Sequence, residues 1–334
     1  MKTTIGFVGA GRWALALAFN LARDGHSCAL WEANAAGLER LRSTRRHPDL
    51  PETCEIAAPL QVCATAPEAL ARAETVVFAV PSGALAGTAV HVAPMLTPAT
   101  KTVVTVTKGI DPTTLRRLSV VLAETLPALP VVVLAGPGIP WDFAHGDPTS
   151  LVAASEKEAA ADAVRDEFSS GNLRVYSSRD VTGVELAAAL KNVIAIAAGI
   201  ADGLGLGINA KAALLTRGLA EMTRLGIGLN ANPLTFAGLA GMGDLIVTAF
   251  SENSRNHTLG RLIGTGIGLT EALSRLNGVA EGAATVRSAL ALAARAGVEL
   301  PIAAEVDSIL HRGSDARRSL RRLLARAPRK EDSW

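Results

Sequence analysis

Lys191 stands inside a run, Val181–Ile200, in which Glu185 is the only other charged residue. A run that is apolar on both faces belongs in an interior. An ammonium placed there needs a partner, and burial can lower its pKa toward neutrality. Such a lysine can give a proton to a carbonyl oxygen or take one from an alcohol. A plainer reading also fits: a lysine near a helix end whose ammonium reaches solvent. Asp244, in the glycine-rich stretch Gly238-Leu239-Ala240-Gly241-Met242-Gly243-Asp244-Leu245, is the natural counter-charge; it reads equally as an N-cap for the residues that follow. Arg255 offers a planar fork suited to a phosphate, with Ser254 and Asn256 as hydrogen-bonding neighbours. The same residues could be a polar loop before a capped helix. Lys108-Gly109 ends the apolar run Thr102–Val106. Ligands of parallel sheets bind in the crevice outside the carboxyl ends of the strands, so Lys108 is a candidate contact for substrate or cofactor.

A second constellation lies at the N-terminus. Gly9-Ala10-Gly11-Arg12-Trp13-Ala14 follows a strand candidate and opens a helix candidate. In the GxGxxG/A pattern the first glycine permits a tight turn, and the second lets backbone approach a pyrophosphate. Ala14 in the third place keeps helix and strand close. The helix N-terminus presents N–H donors and a positive dipole end to the phosphates. Glu32, just past the run Ser27–Trp31, would hold a ribose 2′-hydroxyl and repel a 2′-phosphate, which favours NAD. Trp31 is an alternative occupant of that place, and Arg42, Arg45 or Arg46 could receive a phosphate. The choice between NAD(H) and NADP(H) stays open at this level.

The histidines form no metal set, since no two lie at helical ligand spacing. No GxSxG nucleophile motif occurs. Cys28, Cys54 and Cys63 form no CxxC, and an odd, sparse count fits a reduced, cytoplasmic chain. Net charge is +2 and aromatics are 4%. That balance argues against a nucleic-acid binder and against base-stacking platforms. Arg12 and Arg23 interrupt the first apolar stretch, so residues 1–25 do not read as a signal peptide. Leu186–Ile200, broken by Lys191 and Asn192, is too short for the roughly 20 residues of a membrane span.

These candidates need elements to hold them. With 334 residues, 49% of them hydrophobic, the chain suggests two domains with sizeable cores. Thr3–Val8, Ser27–Trp31, Thr75–Val80, Thr102–Val106, Val131–Leu134 and Leu173–Ser177 read as strands, with Trp13–Arg23 helical. Their Val/Ile/Ala character predicts a parallel sheet covered on both faces, in a doubly wound α/β domain. Proline clusters near 48–51, 94–98 and 137–148 mark loops. Beyond the strands the pattern turns helical: Thr182–Ile200, Asn209–Leu225, Pro233–Phe236, Thr270–Asn277, Gly282–Ala296 and Pro301–His311. The expected division is therefore a Rossmann-type domain over 1–180 and an all-helical domain over 181–334. The arginine-rich segment 312–330, with Leu320, Leu323 and Leu324 at helical spacing, reads as an amphipathic terminal helix.

Taken together, the segments resemble the bacterial NAD(P)-dependent glycerol-3-phosphate dehydrogenases, nearly end to end. The glycine loop through Ala18, Gly25-His26 to Trp31, and Thr107-Lys108-Gly109 carry the first half of the likeness. Leu190-Lys191-Asn192 through Gly199, Asp202 through Gly207, Asn209-Ala210-Lys211, and Thr216 through Met222 continue it. Gly241 through Leu245, Ser254-Arg255-Asn256 and Val279-Ala280-Glu281-Gly282 complete it. The resemblance implies a two-domain fold of the 6-phosphogluconate-dehydrogenase kind. It implies reversible reduction of dihydroxyacetone phosphate to sn-glycerol 3-phosphate, in a cytoplasmic homodimer that supplies phospholipid synthesis. The family's general acid/base lysine falls on Lys191, with Asp244 and Lys108 assisting. Its substrate contacts fall on Lys108, Gly136, Asn192, Asp244, Ser254, Arg255 and Asn256. Its cofactor contacts fall on Gly9, Gly11, Arg12, Trp13, Ala14, Glu32, Ala33, Lys108, Pro140, Arg255, Val279 and Glu281. No metal, nucleic acid or membrane is implied. One segment departs. Where the family usually has Ser-Gly-Pro, then Ser or Thr, then Phe-Ala, this chain has Ala135-Gly136-Pro137-Gly138-Ile139-Pro140-Trp141-Asp142. That change opens two other readings: a related reductase with a different small keto or phosphorylated substrate, and a dinucleotide-sensing protein without turnover.

Overall fold

The computed structural model describes residues 2–276, 278–327 and 330. The chain divides into two compact units. The first runs to Thr107 and resumes over Arg117–Val181. The second takes Lys108–Arg116 and the described residues from Thr182 on. The short excursion at Lys108 was not anticipated by a single boundary near residue 180.

The first unit is built on eight strands: β1 (Thr4–Val8), β2 (Ser27–Trp31), β3 (Leu60–Val62), β4 (Thr75–Phe78), β5 (Thr102–Thr105), β6 (Val131–Ala135), β7 (Thr149–Ala154) and β8 (Leu173–Ser178). They form one sheet in the order β3-β2-β1-β4-β5-β6-β7-β8. The first six follow the doubly wound order, which reverses between β1 and β4 and places a ligand crevice there. Side chains alternate across the pleat. Ile5, Phe7, Val77, Val104 and Val132 pack on one face, with α1 (Arg12–Arg23). Val8, Val76, Phe78 and Val103 pack on the other. Both faces are dry, which is why these strands read as continuous apolar runs. The other helices of this unit are α2 (Ala35–Thr44), α3 (Ala66–Leu70), α4 (Ser82–Val92), α5 (Leu118–Thr125), α6 (Pro140–His145) and α7 (Glu158–Phe168).

Three expectations change here. The sheet is not wholly parallel, because β7 pairs antiparallel to β6, with Leu134 opposite Ala153. β3 and β7 were not expected as strands; one has three residues and the other begins on Thr and Ser. The proline-marked loop at 137–148 contains α6, which Pro140 opens at its first turn, where the missing N–H costs nothing.

The second unit is helical: α8 (Val181–Gly203), α9 (Ile208–Gly228), α10 (Pro233–Ala237), a π-helical turn (Leu239–Gly243), α11 (Asp244–Phe250), α12 (Arg255–Gly264), α13 (Leu269–Ser274), α14 (Gly282–Ala296), α15 (Pro301–Arg312) and α16 (Ala316–Leu324). The expected helix to Asn277 stops at Ser274, and Asn277 lies outside the described residues. Within the segment 312–330, Arg312 ends α15 and Ala316–Leu324 forms α16; Pro328 and Arg329 lie outside the described residues. Leu320 and Leu323 line an apolar cavity with Ile200, Leu204, Ile302 and Val306, while Arg322 forms a two-pronged pair with Glu305. Helix α8 is long and apolar enough to cross a membrane by composition, but its most apolar stretch is entirely buried inside the protein.

Candidate active site

Helix α8 carries Lys191 into the interior of the second unit, where it is 6% exposed. Its Nζ donates to Asp244 Oδ1 at 3.0 Å and to Thr248 Oγ1 at 2.5 Å. Asp244 and Thr248 open consecutive turns of α11, so both face α8, and Thr248 donates to Asp244 Oδ1 at 3.3 Å. Lys108 Nζ reaches the other carboxylate oxygen, Oδ2, at 2.6 Å. One carboxylate thus bridges two ammonium groups. Burial brings the Lys191 ammonium down to about 8, Asp244 opposes that shift, and the charge of Lys108 adds to it. A lysine that is part protonated and part neutral near pH 8 suits proton transfer in both directions.

The alternative placements left open by the sequence resolve here. Lys191 does not reach solvent at a helix end. Asp244 heads α11, yet its side chain faces two lysines rather than capping backbone. Ser254 is the N-cap of α12, accepting from His257 N at 3.3 Å. Asn256 Nδ2 donates to Asn192 Oδ1 at 2.9 Å, and its Oδ1 accepts from Gly282 N at 3.0 Å, tying α8, α12 and α14 together. The α8–α12 crossing is close enough that only glycine fits. A Cβ built at Gly260 would lie 2.0 Å from the Ile196 carbonyl oxygen. Arg255 lies against Gly278, one residue before the half-exposed Val279, and Glu281 immediately precedes α14.

Thr248 escaped the sequence reading. The signal was its i+4 spacing from Asp244, visible only once 244–250 is read as a helix. The preceding π turn hid that helix: Gly241 sits where a Cβ would meet the Phe236 carbonyl oxygen at 2.1 Å. A second polar group was also missed. Asp202 Oδ2 takes Lys211 Nζ at 2.7 Å and His257 Nε2 at 2.6 Å, fastening α9 and the start of α12 to the end of α8. No spacing rule joins these three residues in sequence.

In the first unit, Gly9 follows β1 with φ +98°, and a Cβ there would meet the Ala79 carbonyl oxygen at 2.6 Å. The turn therefore requires glycine. Gly11 is the N-cap of α1 and gives no side-chain cap; space for 4 Å around its missing Cβ is open. Buried Ala14 seats the helix against the sheet. An uncapped helix N-terminus facing open space at the switch point fits a dinucleotide's pyrophosphate. Glu32 Oε2 accepts from Ala10 N at 3.0 Å and Oε1 from Asn34 N at 2.9 Å, so the carboxylate is fixed beside the glycine loop. Ala33 beside it is exposed, and Arg12 and Trp13 are part-buried. Gly136, also in this unit, has φ +145° and lies against the backbone of Ser150 and Leu151.

The segment after β6 packs against the glycine loop. The Trp13 indole occupies the space over Gly138, where a Cβ would come within 2.6 Å of the ring, and it packs on Phe143 of α6 with ring centres 5.6 Å apart. Pro140 opens that helix. Gly138→Ser should displace the indole and weaken dinucleotide binding about tenfold, or about 1.4 kcal/mol. Titration of the dinucleotide measures this, and unchanged affinity would show that Trp13 adjusts freely.

Comparison with known proteins identifies the family. The family model described as NAD-dependent glycerol-3-phosphate dehydrogenase N-terminus matches residues 4–161, and its C-terminal counterpart matches residues 180–321. A glycerol-3-phosphate dehydrogenase [NAD(P)+] of Geobacter sulfurreducens is 44% identical over 329 residues, covering 98% of each chain. One from Salinibacter ruber is 43% identical over 334 residues, covering 99% of this chain and 97% of the relative. The crystal structure of glycerol-3-phosphate dehydrogenase from Coxiella burnetii superposes with a TM-score of 0.91 at 33% identity, covering 97% of this chain and 99% of that one.

Proposed function

The chain belongs to the NAD-dependent glycerol-3-phosphate dehydrogenase family, and from that premise we propose the roles its residues play. It is an oxidoreductase acting on glycerol 3-phosphate with NAD(H) or NADP(H). The reaction in the reductive direction converts dihydroxyacetone phosphate to sn-glycerol 3-phosphate. A dinucleotide held at the glycine loop would supply the hydride that the carbonyl carbon accepts.

Lys191 supplies the proton. Its ammonium donates to the oxygen that becomes an alkoxide as the carbonyl is reduced, and its neutral amine takes that proton back in the reverse direction. The observation that carries this is the bridge of Lys191 and Lys108 by one buried carboxylate. Asp244 keeps Lys191 oriented and sustains its charge in spite of burial. Thr248 holds a second N–H of the ammonium. Lys108 adds positive charge where the oxyanion develops.

Arg255 holds the phosphate through its planar fork, so binding energy remote from the carbonyl orients it for reduction. Asn192 and Asn256 act with it, and their mutual hydrogen bond fixes both amides beside the start of α12. Ser254 contributes by capping that helix, and Gly136 borders the substrate through backbone. On the dinucleotide side, Gly9, Gly11 and Ala14 shape the phosphate cradle. Arg12, Trp13, Glu32, Ala33, Lys108, Pro140, Arg255, Val279 and Glu281 complete its contacts. The setting that follows from the family is a cytoplasmic homodimer supplying glycerol phosphate for glycerophospholipids.

Arg255→Ala tests the phosphate assignment. KM for dihydroxyacetone phosphate should rise about tenfold to a hundredfold, the loss of charge-assisted hydrogen bonds. Steady-state rates over a substrate range measure it, and an unchanged KM would remove Arg255 from that role.

A further inference from the structure

Glu32 bears on a choice that the family leaves open. We propose that this chain selects NAD(H) over NADP(H), and that the fixed carboxylate of Glu32 makes the selection. The inference rests on the reading that the glycine loop holds the dinucleotide.

The carboxylate lies just beyond β2, next to the loop that follows β1. In this sheet arrangement that is where the adenine ribose of a dinucleotide sits. Both oxygens are anchored, one by the Ala10 N–H at 3.0 Å and the other by the Asn34 N–H at 2.9 Å. Anchoring leaves acceptor capacity, because an ionised carboxylate offers about four lone-pair sites. Those sites can take the 2′- and 3′-hydroxyls of NAD. A 2′-phosphate would instead meet a negative charge that cannot swing away. Like-charge juxtaposition of this kind is unfavourable.

The nearby arginines have other engagements. Arg45 lines a cavity with Ser27, Pro59 and Leu60 near the start of β2; Arg42 shares that cavity, which runs on to Val62, and its charge reaches Cys63. Glu32 lies past the other end of β2 from Ser27, and five residues of strand span about 16 Å. Arg45 Nε also donates to the Ile56 carbonyl oxygen at 2.7 Å, and Arg46 follows it in the chain. Arg12, on the glycine loop, is part-buried with the charge of Asp49 facing it. Ala33, Asn34 and Ala35 carry no positive charge, and the Asn34 side chain caps α2 by accepting from Gly37 N at 2.8 Å. Trp31 does not take the ribose place either: its ring turns to His91, with centres 6.0 Å apart.

The test is direct titration of the purified enzyme with NADH and with NADPH, following nicotinamide fluorescence, without substrate. The wild type should bind NADH at least about thirtyfold tighter than NADPH. Glu32→Gln should narrow that ratio about tenfold, chiefly by improving NADPH, and Glu32→Ser should do the same where the Gln variant disturbs the loop. Equal affinities in the wild type, tighter NADPH, or an unchanged ratio in folded variants would overturn the assignment while leaving the dinucleotide site standing. Failure of both dinucleotides to bind would overturn the site reading and this assignment together.

Discussion

Lys191→Ala should lower kcat for dihydroxyacetone phosphate reduction by about a hundredfold to ten-thousandfold, the range for loss of a positioned proton donor. Dinucleotide affinity should hold, because the glycine loop belongs to the other unit. The wild-type pH profile carries the same signature. With Lys191 brought to about 8 by burial, the reductive kcat should fall as pH rises through that value, since the acid form does the work. The oxidative kcat should rise over the same interval, since the neutral amine is then the base. Lys191→Ala should lose both limbs. Normal turnover by that variant would exclude the mechanism.

Asp244→Asn should be nearly as damaging, for a different reason. Asp244 is 1% exposed and is the counter-charge of two lysines. Asparagine keeps the shape and removes the charge. The ammonium of Lys191 then loses the attraction that opposes its desolvation, so its pKa drops further below 8. The reductive limb should move to lower pH, and kcat at neutral pH should fall about a hundredfold. Removing one partner of a buried ion pair also costs about 3–5 kcal/mol unless the lysines shed their protons. Thermal unfolding together with the pH profile separates the two effects. A variant with an unmoved pH limb would show that Asp244 does not tune Lys191.

Much of this arrangement is legible in the sequence. Lys191 announced itself because a lone cation in an apolar helix is costly unless paired, and Asp244 was the acid whose glycine-rich surroundings permit close approach. The glycine loop was legible because it needs both a turn and an uncapped helix. What escaped depends on contacts between distant segments. Thr248 shares a helix face with Asp244, yet the π turn before it breaks the helical pattern that would have shown the pairing. Asp202, Lys211 and His257 meet only because α8 and α12 cross at glycine-to-backbone distance. The strand β7 was obscured because its small polar start resembles a loop and its partner β6 runs the other way. Helix α6 was masked by prolines, which mark loops but also open helices.

The departure at Gly138 is the reason to test the substrate itself. The Trp13 indole fills the space that a side chain at position 138 would take. The most direct measurement is the initial rate of NADH oxidation with dihydroxyacetone phosphate, run beside phosphate-free dihydroxyacetone and small keto acids. The expected result is rapid turnover of dihydroxyacetone phosphate with at least about a hundredfold lower kcat/KM for the phosphate-free compound. No turnover of dihydroxyacetone phosphate, with rapid reduction of one of the other carbonyls, would contradict it.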